Sequence, residues 1–167
     1  MTEQQVLSVL VEDKPGVLAR ISSLFARRGF NIHSLAVGPT AEPGLSRMTI
    51  VVEAPKLEQV KKQLHKLVNV VKITELDDRS SIEREIMLVR VRATAKQRSE
   101  VLQLATVFKG TPVDVGVDSI TFMVTGTPTK LNDLLELIRP FGLMDLVKSG
   151  RIAMRREPKA RKLRAVG

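Results

Sequence analysis

Groups able to do chemistry are few in this sequence. It has two histidines, His33 and His65, and no cysteine in 167 residues. Thiolate metal sites, disulfides and a cysteine nucleophile are therefore excluded. His65 sits in a lysine-rich stretch that reads as the solvated face of a helix. No histidine cluster, nucleophile motif, glycine-rich nucleotide loop or metal-ligand spacing is present. What stands out is "VEDKPGVLARI", residues 11–21, where an apolar run meets a Pro-Gly pair and a second apolar pattern starts at once. One glycine with no following Gly-Lys-Ser or Gly-Lys-Thr is not a triphosphate loop. Exposed amides of Gly16, Val17 and Leu18 at a helix start favour a small anion such as an amino-acid carboxylate. Asp13 and Asn31 are the candidates to accept from an ammonium. Val17, Leu18, Ile32 and Leu35 would take an apolar side chain. The alternative is that Pro15 and Gly16 only start a helix and Asn31 only turns the chain.

The elements that must hold this loop follow from periodicity. "QQVLSVLVE" is a strand, apolar on both faces. "PGVLARISSLFARRG" repeats Val17, Leu18, Ile21, Leu24 and Phe25 at helical spacing, with Pro15 expected at the first helical position. Asp13 is expected to accept from the first-turn amides. "FNIHSLAVGPT" and "LSRMTIVVE" are strands two and three around an "EPG" turn. "PKLEQVKKQLHKLVN" is a helix and "VVKITEL" a fourth strand. The order strand-helix-strand-strand-helix-strand is ferredoxin-like, α+β, with both helices on one sheet face. Asn31 is expected directly beside the first strand or across a dimer seam. The polar "DDRSSIERE" reads as a linker, after which the order recurs: "IMLVRVRA", a helix "RSEVLQLATVFKG" with Ser99 as a possible N-cap, strands "TPVDVGV" and "SITFMVT", a helix "TPTKLNDLLELIRPFG", and a strand-like "LMDLVKSGRIAMRR". The division is therefore a first domain over residues 1–78, a linker 79–83, a second ferredoxin-like domain 84–156 and a basic tail 157–167. Val6, Leu10 and Ala36 would lie bare on the sheet face away from the helices. Such a patch calls for cover; a homodimer is preferred, with the chain's second domain as the alternative.

The net charge of +9 is localised: Lys148 onward holds eight basic residues against Glu157 alone. That is a tail, not a basic face, and without aromatic residues interleaved it does not read as a base-stacking surface. No nucleic-acid partner is expected. No apolar run approaches the roughly 18 residues of a membrane span, and the acidic N-terminus is not a secretory signal. A cytoplasmic protein without a membrane partner is expected.

"LVEDKPGVLARISSLFARRGFNIHSL" resembles the opening of an ACT domain, a ferredoxin-like module that binds amino acids. "LSRMTIVV", "KQLHKLVNVVKITEL" and "EREIMLVRV" resemble the regulatory small subunit of acetohydroxyacid (acetolactate) synthase, over about residues 5–156. The resemblance implies no catalysis by this chain. It implies a large catalytic subunit carrying thiamine diphosphate, magnesium and FAD, which condenses 2-oxo acids in branched-chain amino acid biosynthesis. The small subunit raises that activity and confers feedback inhibition by valine or a related amino acid bound between two ACT domains. Carried onto this chain, the effector role falls to Asp13, Gly16 and Asn31, with Val17, Leu18, Ile32 and His33 lining the site. Asp13 stands where many members have Asn, adding a charge that suits an ammonium and repels a carboxylate. Two other readings are an amino-acid sensor acting on transcription, and a structural chaperone of a catalytic subunit without an effector.

Overall fold

The computed structural model describes residues 3–158, apart from the side chain of Ala54. The first unit is built from β1 (Gln4–Glu12), α1 (Val17–Arg27), β2 (Ile32–Pro39), β3 (Leu45–Glu53), α2 (Leu57–Leu64) and β4 (Val70–Leu76). Its sheet has the order β2-β3-β1-β4, antiparallel throughout. Leu7, Val9 and Val11 alternate on β1 toward the helices. Val17, Ile21, Leu24 and Phe25 on α1, and Leu57, Val60 and Leu64 on α2, close over them as one core. These are the i, i+3, i+4 stripes that an amphipathic helix buries.

The second unit repeats the plan with β5 (Ser81–Arg92), α3 (Arg98–Val107), β6 (Thr111–Val115), β7 (Ser119–Gly126), α4 (Pro128–Gly142) and β8 (Leu143–Lys148). The sheet order is β6-β7-β5-β8. Met87, Val89 and Val91 alternate inward on β5 and meet Val101 and Ala105 of α3 and Leu131, Leu134 and Ile138 of α4. The α+β class with two tandem ferredoxin-like units is therefore as expected.

Several local expectations are corrected. Helix α1 starts at Val17, not at Pro15; Gly16 occupies the cap position. Ser99 lies inside α3, whose cap position is Gln97, and no side chain caps it. β2 is separated from β1 by β3, so Asn31 does not lie beside the first strand. The polar stretch read as a linker is half strand, because β5 already begins at Ser81. The strand-like C-terminal stretch is two strands: β8 and β9 (Ile152–Arg155) are broken at Gly150, whose φ of +82° only glycine adopts readily.

That break positions the two units. β9 turns back to pair with residues 81–84 of β5 and lies on the face of the first sheet away from the helices. Ala153, 7% exposed, packs there with Val6, Val51 and Leu76. Its amide donates to Thr49 Oγ1 at 3.3 Å. Arg151 Nη2 donates to Gln4 Oε1, and Arg151 Nη1 lies 3.7 Å from Glu83 Oε2. The chain itself therefore covers Val6, the less favoured of the two expectations for that face. Leu10 and Ala36 remain half-buried. No helix among the described residues is long and apolar enough to cross a membrane. Residues 159–167 of the basic tail lie outside the described residues.

Candidate functional site

The Pro-Gly loop is set by backbone geometry. Gly16 has φ +86° and ψ −5°, the left-handed region, and carries no side-chain cap. An L-residue there is strained, although a Cβ would meet nothing within 4 Å. The loop is pinned behind by the Asp13 amide donating to Gly44 O at 2.8 Å and the Lys14 amide to Glu12 O at 3.0 Å. The Val17 amide is taken by Lys14 O at 3.3 Å. The amides of Gly16 and Leu18 find no backbone acceptor among the described residues. They are orphan first-turn donors with the helix dipole behind them, a setting that favours an anion.

The side chains sort differently from expectation. Asp13 is exposed and makes no side-chain hydrogen bond to the first turn, so it does not cap the helix. Val17 is 5% exposed and packs in the core. Leu18, 46% exposed, points outward beside Gly16. Asn31 and His33 are exposed, and Ile32 packs partly against the core. His33 borders a separate hollow between the two units, with Gln4, Ser34, Lys148 and Arg151.

The structure does not bring these residues together in one chain. Glu12, at the Pro-Gly end of the sheet, pairs with Leu45 of β3, and Ile32 pairs with Val52. Seven residues along a strand is about 23 Å. Asp13, Gly16 and Leu18 therefore sit at one end of the sheet, and Asn31, Ile32 and His33 at the other. Among the described residues β2 is an edge strand whose outer side is unpaired.

Sequence reasoning missed a polar brace beside the loop. Lys14 Nζ lies 2.6 Å from Glu12 Oε2, Asn69 Nδ2 donates to the same oxygen at 3.1 Å, and Arg20 Nη1 donates to Asn69 Oδ1 at 2.9 Å. The hydrogen bonds from Lys14 and then Asn69 hold the Glu12 carboxyl below its ordinary range. Asn69 is distant in sequence, and only Glu12 ending an apolar strand hinted at the brace. Among the described residues no three His, Asp or Glu side chains gather as a metal-ligand set.

Comparison with known proteins agrees with this architecture. Residues 7–72 match the family described as the AHAS small subunit-like ACT domain, and residues 84–157 match the small subunit of acetolactate synthase. The acetolactate synthase small subunit of Mycolicibacterium smegmatis is 51% identical over 160 residues, covering 95% of this chain and 94% of the relative. A probable acetolactate synthase small subunit of Archaeoglobus fulgidus is 47% identical over 153 residues, covering 90% and 96%. The crystal structure of the Thermotoga maritima small subunit superposes with a TM-score of 0.85 at 37% identity, covering 93% of this chain and 99% of that one. The chain belongs to the acetolactate synthase small-subunit family, the regulatory subunits that carry an ACT domain.

Proposed function

We propose that this chain activates a thiamine-diphosphate-dependent acetolactate synthase catalytic subunit and confers feedback inhibition by valine or a related branched-chain amino acid. Thiamine diphosphate, magnesium and FAD would reside on that catalytic subunit, and the assembly would work in the cytoplasm. The effector would lie at a seam between two ACT domains.

One observation carries this reading: Asn31 stands about 23 Å from the Gly16 end of its own sheet, by strand rise, on an edge strand left unpaired. Antiparallel pairing of two β2 edges about a two-fold axis sets the start of one strand beside the end of the other. Asn31 of one copy then meets the end that carries Asp13, Gly16 and Leu18 of the other. The orphan amides would take the effector carboxylate, Asn31 and Asp13 its ammonium, and Leu18 and Ile32 its aliphatic chain. Neither Val17, which is buried in the core, nor His33, which borders the hollow between the units, is needed.

Inhibition follows by linkage. An effector at the seam favours one arrangement of the dimer; if the catalytic subunit prefers the other, each weakens the other's binding by the same factor. The test is a calorimetric titration of the chain, alone and with its catalytic subunit, using valine, leucine, isoleucine and lysine. Saturable binding of a branched-chain amino acid and none of lysine is expected, with affinity lowered by the catalytic subunit. Activation without any effector binding in either titration would leave the chaperone reading. Salt-sensitive, sequence-specific DNA binding would favour the transcriptional one.

A further inference from the structure

The β5–β9 ribbon covers the open face of the first sheet only in part. Between it and strands β2 and β3 lies a groove of about 310 Å³. Ala36, Gly38, Pro39, Ile82, Ile152 and Met154 form apolar walls, Thr49 adds a hydroxyl, and Arg47 and Arg84 supply the charge. Among the described residues, no carboxylate lines it.

Arg47 is the anomaly. It stands in the middle of the sheet, opposite Leu10 on β1 and Gly38 on β2. Directly paired residues share a face, and this is the face away from α1 and α2. Its Nε is buried and has no hydrogen-bond partner among the described residues. Among the described residues it makes no ion pair. Buried donors are nearly always satisfied, and an unmet one on a cation points to a missing acceptor. Lys72 and Arg155 border the hollow on its other side. The one acid of that hollow, Glu75, is tied to Lys61 at 3.2 Å. The local field is therefore positive and draws anions.

We propose that this groove is a second ligand site, for an aliphatic monocarboxylate that carries no amino group. Arg47, joined by Arg84, takes the carboxylate, as a guanidinium fork does best. The apolar walls take a short branched chain. An amino acid is disfavoured, because its ammonium would meet two arginines and no carboxylate in the lining. The site lies on the sheet face opposite the helix that carries Gly16, so it is distinct from the proposed effector seam.

Gly38 offers a clean way to fill it. A Cβ there meets nothing within 4 Å, and its φ lies outside the left-handed region. The test is calorimetry and chemical-shift mapping of the full chain with 3-methylbutanoate and 3-methyl-2-oxobutanoate, in wild type and in Arg47→Gln, Gly38→Val and Gly16→Asp. Both carboxylates are expected to bind the wild type saturably. Loss of a charged hydrogen-bond donor should weaken them roughly tenfold or more in Arg47→Gln. Gly38→Val should abolish binding and Gly16→Asp should leave it unchanged. If Arg47→Gln does not fold, as judged by its thermal melt, Gly38→Val decides. Absence of saturable binding, binding indifferent to both groove variants, or binding lost only in Gly16→Asp overturns the proposal; the last result would place the ligand at the effector seam.

Discussion

Gly16 allows the strain of the loop to be separated from its charge. Gly16→Ala forces an L-residue to φ +86°, at about 1–2 kcal/mol. No steric term adds to this, because the new Cβ has open space. For a domain of this size each kcal/mol lowers Tm by about 4–8 °C. Gly16→Asp carries the same strain and adds a carboxylate where the effector carboxylate should sit. Two like charges about 4 Å apart repel by about 4 kcal/mol at an effective dielectric of 20. The two variants should therefore melt alike but bind differently. Valine affinity should fall less than about tenfold in Gly16→Ala and a hundredfold or more in Gly16→Asp. Melting by circular dichroism beside calorimetry reads both quantities. Equal valine affinity in the two variants would refute an anion at the first-turn amides, whatever their stability.

Other consequences are shorter to state. Thr127 caps α4, with Lys130 N donating to its Oγ1 at 3.3 Å; Thr127→Ala should cost about 1 kcal/mol, measured by urea denaturation. Burial raises the Glu83 carboxyl above its ordinary range, against an opposing pull from Arg151. A raised carboxyl pKa favours folding below the unfolded value, and that contribution is lost as pH rises through the folded value. Glu83→Gln should therefore gain stability relative to wild type on going from acid to neutral pH, read from melts across that range. Ala153→Glu places a long charged side chain in the cluster with Val6, Val51 and Leu76. It should destabilise by several kcal/mol and make the stretch 149–155 accessible to limited proteolysis.

Most of the fold was legible because its strands obey simple rules. β1, β3 and β4 are rich in Val, Leu and Ile and lie between turn residues, and their bounds coincide with those read from sequence. β5 misled because its first residues invert the usual pattern. Ser81 and Glu85 are buried while Ile82 and Ile86 stay exposed, Ile82 bordering the groove beside the first sheet. The break at Gly150 was hidden for a different reason: "KSGR" interrupts an apolar pattern only briefly, and its turn lies against Ser34 and Leu35 of β2. The Pro-Gly loop announced itself through backbone chemistry that only glycine permits. Arg47 did not, because one arginine in "LSRMTIVV" carries no signal until the sheet places it without a partner. The distance between Asn31 and Gly16 was also invisible, since strand order is set by long-range pairing.

The central claim is that each effector site is shared between two copies, and mixed dimers test it directly. Gly16→Asp and Asn31→Ala each remove all valine sites in their own homodimers if the site is shared. When the two variants are unfolded together and refolded at equal amounts, half the dimers are mixed, and each mixed dimer has one site free of both changes. Valine titration should then recover about one quarter of the wild-type sites at wild-type affinity, as two-fold symmetry requires. No recovery in a mixture shown by mass to contain mixed dimers would mean that Gly16 and Asn31 do not meet across a seam, and would contradict the account.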